Sequence, residues 1–200
     1  CPKCGDGISY PEKFIFNVLQ QLLNDNFENE KVFKWSNNKR YDFYFKLNKE
    51  SYLLEAHGLQ HYRETFKSCG GRTLQEEQLN DKLKKELAIK NGIKEDNYIV
   101  VDCRESTLEW IKEHILDSKL NNLFDLSKID WLKCHEYACS SLIKQVCDLW
   151  NNNIKNTTKI GKIFKLDQTT IERYLKQGIE LKWCDYNPKK RTKEMKENNG

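Results

Sequence analysis

Two runs rich in aromatic and aliphatic residues stand out along the chain: YDFYF from Tyr41, and SYLLEAHGLQHY from Ser51 to Tyr62. A short polar stretch beginning at Lys46 separates them, a pattern that predicts a β-hairpin. A turn midway between Asn48 and Lys49 sets Asp42 opposite Glu55. Because side chains alternate along a strand, Asp42 and Tyr44 then share a face with Leu53, Glu55 and His57. Before the hairpin, Phe14, Ile15, Val18, Leu19, Leu22 and Leu23 recur at helical spacing behind Pro11, which predicts a helix over 10–23. Lys31 to Trp35 reads as a first strand.

After the hairpin, residues 63–72 read as a loop. A helix over 73–91 is opened by Thr73 with Glu76 three residues on, a capping box, and closed by Asn91-Gly92. Tyr98 to Arg104 is a hydrophobic run, expected to be a strand buried on both faces and reached by a βαβ crossover. An amphipathic helix over 107–116 follows, and 118–130 reads as a connector. Beyond it, a helix is expected over 131–150 with Leu142, Ile143, Val146, Leu149 and Trp150 inward. A short helix capped by Thr157 or Thr158 carries Ile160, Ile163 and Phe164. Leu166-Asp167 turns the chain into a last helix over 168–177, ended by Gly178. This is helix-turn-helix spacing; a generic three-helix packing module is the plainer alternative.

Composition narrows the class. Two hundred residues, 32% charged and 38% hydrophobic, suit a globular chain of one or two domains. No apolar run approaches a membrane span and no signal segment is present, so no membrane partner is expected and the location reads as cytoplasmic. Eight scattered cysteines suit a reducing compartment. The net charge is +4, yet residues 155–200 hold twelve Lys/Arg against six Asp/Glu, leaving −2 on the remainder. The basic end is a candidate polyanion contact, and the acidic remainder suits a metal-holding domain.

Carboxylates opposed on a hairpin, about 5 Å apart at Cβ, repel unless something offsets them. A hard divalent cation such as Mg2+ is the usual offset. The second strand then meets Gly58, Gln60, His61 and Tyr62, gathering acid, base and hydrogen-bonding groups at one end. Asp42 with Glu55-Ala56-His57-Gly58-Leu59-Gln60-His61-Tyr62 resembles the PD-(D/E)XK nuclease superfamily, and within it the very-short-patch-repair and phage homing endonuclease branch. His57 stands where the broader superfamily has lysine.

The resemblance implies an α/β fold, a restriction-endonuclease-like mixed sheet flanked by helices, with a small all-α helix-turn-helix domain at the C-terminus. It implies a Mg2+-dependent endonuclease acting on double-stranded DNA, encoded by a phage or mobile element in a bacterial cell. Asp42 and Glu55 would hold the metal, His57 or His61 would move the proton, and Gln60 would orient one of them. By the same resemblance Glu12 adds a carboxylate from the first helix, although a first-turn Glu also simply favours the helix dipole. Asp81 and Lys84 match a D-x-x-K pair of the family; a surface ion pair is the plainer alternative. The second helix of the C-terminal pair would enter the major groove, with Gln168, Thr169, Thr170, Arg173 and Lys176 facing bases or phosphates.

Cys1-Pro2-Lys3-Cys4-Gly5 has zinc-knuckle spacing. A closed site needs four ligands and no second CxxC follows, so the expectation is a partial Zn2+ site whose other half lies upstream. The expected layout is zinc-ribbon remnant 1–8, nuclease 9–117, connector 118–130, helix-turn-helix 131–187 and basic tail 188–200. Two other functions fit the same residues: a non-catalytic DNA-binding regulator, favoured by the missing lysine, and a mismatch-nicking repair endonuclease.

Overall fold

The computed structural model describes residues 7–64 and 72–187. Cys1, Cys4 and the tail 188–200 lie outside the described residues. Helix α1 (Tyr10–Leu23) starts on a reciprocal cap: Ser9 Oγ accepts from Glu12 N–H, and the Glu12 carboxylate accepts from Ser9 N–H. Its stripe of Phe14, Ile15, Val18 and Leu19 is fully buried.

Strands β1 (Phe27–Val32), β2 (Arg40–Leu47) and β3 (Glu50–His57) form an antiparallel meander, and β4 (Tyr98–Asp102) lies parallel beside β3. The first strand precedes its expected position at 31–35. Its sequence FENEKV buries little beyond Phe27, so it lacks the run of β-formers that would mark it. Asn37 and Asn38, both with positive φ, turn the chain into β2. Asn48 and Lys49 also take positive φ, as the hairpin turn matching strand twist requires. They close the pair Leu47↔Glu50, and the register runs through Tyr44↔Leu53 and Phe43↔Leu54. One step further stand Asp42 and Glu55.

Helix α2 (Leu74–Lys90) makes the crossover to β4, opened by the Thr73/Glu76 capping box and followed by Gly92 at φ +92. It covers one sheet face, where Ala88 meets Tyr41, Leu53, Ile93 and Tyr98. The other face carries the main core: Phe43, Phe45, Tyr52, Leu54, Ile99 and Val101 pack on α1 and on α3 (Leu108–Leu116). β4 is an edge strand, so Val100 is 40% exposed and the strand is not buried on both faces as expected.

The stretch 118–130 is not a free connector. Leu120, in the short helix α4 (Leu120–Leu123), is fully buried, and Leu126 and Ile129 join the same core. Helix α5 (Trp131–Cys139) adds Cys134 and Ala138 to it, while the Gln21 amide of α1 bonds both N–H and C=O of Asp130. Ser9–Cys139 is therefore one compact unit, and Ser140 onward belongs to a second. The expected domain start at 131 moves to 140, and the expected helix over 131–150 is two helices.

Ser141 caps α6 (Leu142–Asn151) by accepting from Lys144 N–H. Helices α7 (Thr157–Phe164) and α8 (Gln168–Glu180) complete this unit, which buries Ile143, Val146, Ile160, Phe164, Ile171, Tyr174 and Leu175. Lys165 in the left-handed region turns α7 into α8. A Cβ on Gly161 would stand 2.6 Å from Leu166 O, so this turn needs glycine. Gly178 does not end the last helix; it lies inside α8, where a Cβ would meet Cys147 Sγ at 2.1 Å. Among the described residues no helix is long and apolar enough to cross a membrane.

Candidate active site

Strands β2 and β3 deliver Asp42 and Glu55 to an open cleft of about 850 Å³ that α1 and α2 also line. Glu55 is buried and Asp42 half-buried, and each has a distinct tether. Asp42 Oδ2 accepts from Ala56 N–H at 2.8 Å. Glu55 Oε2 accepts from Lys84 Nζ at 2.5 Å, and Glu55 Oε1 is buried without a hydrogen-bond partner among the described residues.

Beside them, β3 ends at His57 and one 3₁₀ turn over Leu59–His61 brings His61 back over it. The two imidazoles stack, 4.0 Å between centroids and 10° apart in plane. His61 Nδ1 is 2.7 Å from Asp81 Oδ2 on α2, His57 Nδ1 is 4.0 Å from the same oxygen, and His61 Nε2 is 3.9 Å from Glu77 Oε1. Glu77 and Asp81 stand one helical turn apart and so share a face.

Burial controls the charges here. It raises the Asp42 carboxyl above its ordinary value, against the pull of the Ala56 N–H and the Lys84 ammonium. Burial, then the nearby Asp42 charge, pushes Glu55 up to about 8, with Lys84 opposing. Burial and the neighbouring His61 push His57 down to about 4, which keeps it neutral near pH 7. For Asp81 burial acts upward, but the His61 hydrogen bond and the positive groups around it outweigh this and hold the carboxyl low. An ionised Asp81 accepts from His61 Nδ1–H, and that bond selects the tautomer with a free lone pair on Nε2.

Asp42, Glu55, His57, His61 and Asp81 thus gather at one end of the hairpin, and Gln60 lines the cleft as an exposed residue. Glu12 lines it too, and its charge acts on Asp42, although its carboxylate is engaged in the α1 cap. Asp81 and Lys84 do not pair with each other on the surface: Asp81 turns to His61 and Lys84 to Glu55. Asp102 and Arg104 pair with each other at the cleft rim, the Arg104 guanidinium lying 4.5 Å from the Tyr62 ring centroid and 5.5 Å from that of Trp110.

In α8, Thr169, Arg173 and Lys176 are exposed, while Gln168 bonds Glu172 and Thr158. The Thr170 hydroxyl is taken by Asp167, the residue that caps the helix. Lys84 and Glu77 join the candidate site without having been counted in it. The D-x-x-K pair was a signal for Lys84, and for Glu77 the signal was its place four residues before Asp81. Comparison with family models, with curated proteins and with solved structures finds no match to this chain.

Proposed function

We propose that the Ser9–Cys139 unit is a metal-dependent endonuclease hydrolysing DNA phosphodiesters, in a restriction-endonuclease-like arrangement, and that α6–α8 serve as its helix-turn-helix DNA-binding module. A homing enzyme of a phage or mobile element is the reading that this pairing suits. The observation that carries it is the convergence of a half-buried aspartate, a buried glutamate and a buried lysine on an open cleft, next to a stacked histidine pair of which His61 is held by Asp81.

The donor set fits Mg2+. Asp42 and Glu55 offer oxygen only, both carboxyls are lifted by burial, and Glu55 Oε1 has no hydrogen-bond partner among the described residues. When bound, the ion would polarise the scissile phosphate and stabilise the leaving oxygen. Lys84 sets a positive charge beside Glu55, so the cleft can accept a phosphate that two bare carboxylates would repel. This amine comes from α2 and supplies the cation that His57 does not. His61, held by Asp81, takes the proton of the attacking water at Nε2. His57 packs flat against it and limits its rotation. Arg173 and Lys176, one turn apart and exposed on α8, are suited to contact phosphates or bases.

Incubating the protein with supercoiled plasmid, with and without Mg2+, tests this. Nicked or linear product that needs the metal is expected. Intact plasmid together with retained DNA binding would favour the regulator instead.

A further inference from the structure

We propose that His57, His61 and Asp81 form a second cation site, selective for zinc-class ions over magnesium, and that filling it blocks the cleft's chemistry. Three elements bring these side chains together: the end of β3, the 3₁₀ turn after it, and the middle of α2. One donor atom from each lies within 4.8 Å of the others. Around a single zinc, donors stand about 3.4 Å apart, given bonds of roughly 2.0–2.2 Å. Closing on one ion therefore opens the 2.7 Å His61 Nδ1–Asp81 Oδ2 pair, draws His57 Nδ1 in from 4.0 Å of that oxygen, and turns the imidazoles out of their stack.

The donors are of the right kind. Two imidazole nitrogens and one carboxylate oxygen favour zinc over magnesium, which prefers oxygen and holds its waters. The pocket opens to solvent through the same cleft. The set is distinct from Asp42 and Glu55, whose oxygens suit the harder ion. An ion held at His61 Nδ1, the nitrogen that faces Asp81, leaves the ring proton on Nε2, which then has no lone pair for a general base. The blocking role rests on the nuclease reading above; the binding does not.

Calorimetric titration of the full chain with Zn2+ tests the site, comparing the wild type with Asp42→Asn, His61→Asn and Asp81→Asn. Wild type and Asp42→Asn should bind one zinc more than the other two variants, or bind it at least roughly tenfold more tightly. Equal stoichiometry and affinity across all four would overturn the proposal. His57→Gln provides a second lost ligand, and circular dichroism separates a lost site from a lost fold. Bound Co2+ should show a visible band without thiolate character that is absent from His61→Asn. A spectrum of thiolate type alone, unchanged by that variant, would place the ion at cysteines and sink the idea. Zinc should also stop Mg2+-supported nicking, and zinc bound by His61 with nicking undiminished would overturn the blocking role. A wild type that never nicks defeats the nuclease reading, while the titration still decides the site.

Discussion

Lys84 Nζ lies 2.5 Å from Glu55 Oε2, joining the middle of helix α2 to the third strand of the sheet. Both side chains are nearly inaccessible, 10% and 4% exposed, so neither charge is well served by water. Replacing Lys84 with Met keeps its volume and removes its charge. Glu55, without the opposing ammonium, then keeps its proton to still higher pH, and the chain should stay folded at pH 6. Plasmid nicking should fall by roughly 10²–10³-fold, the scale of losing one preorganised charge contact. A wild-type rate in Lys84→Met would reduce the pair to a structural tie.

Glu55 is pushed up to about 8, so its proton must leave before the carboxylate can hold a cation. Mg2+ affinity should rise with pH between 6 and 8, by up to about tenfold per unit, with proton release visible as buffer-dependent heat in calorimetry. The sign for the metal-free chain is the reverse. The folded state binds more protons than the unfolded one, so the stability contributed by Glu55 is complete below pH 4.5 and is lost as pH rises through about 8. Added Mg2+ should restore it, and affinity independent of pH would contradict this account.

His57 moves the other way, from 6.5 down to about 4. The folded chain binds fewer protons there, so this contribution is complete above pH 6.5 and disappears as pH falls towards 4. His57→Gln should flatten that part of the acid unfolding profile, measured by circular dichroism; an unchanged profile would show His57 to be protonated freely.

The two histidines should also separate in rate. His61 carries the Asp81 bond and His57 does not, so His61→Ala should lower nicking by roughly 10²–10⁴-fold and His57→Ala by less. Single-turnover rates in the opposite order would reverse the roles.

Packing of α5 with the first unit gives a test by truncation. A chain ending at 139 keeps Trp131, Cys134 and Ala138 against the core, whereas one ending at 130 removes them. The longer form should fold and cut DNA with weaker binding and little site preference; the shorter should melt at lower temperature. In the full chain, Arg173→Ala should weaken binding by about 1–3 kcal/mol at one base position if it reads a guanine, or uniformly if it meets phosphate. An unchanged footprint after removal of 140–200 would move recognition elsewhere.

Much of the site was legible because its signals are local. The Asn48-Lys49 turn sets the hairpin register, which carries Asp42 to Glu55. Thr73 with Glu76 fixes where α2 begins, and so its phase towards His61. What escaped the sequence depends on packing between distant segments. Strand β1 has polar residues at an exposed edge, so its pattern is faint. Helix α5 reads as continuous with α6 until Ser141 is seen to start a new helix and Gln21 to hold Asp130. Gly178 resembles a stop, yet it is required by Cys147 across the helix interface. The partner of Lys84 is 29 residues away in sequence on a different element, and only the α2 crossover brings Lys84 to Glu55.

The most direct measurement compares Mg2+-supported plasmid nicking and DNA affinity for wild type, Asp42→Asn and Glu55→Gln. Loss of nicking in both variants, with affinity for the same DNA nearly unchanged, is the predicted result. Nicking by Asp42→Asn at the wild-type rate would contradict the assignment of this cleft as the catalytic centre.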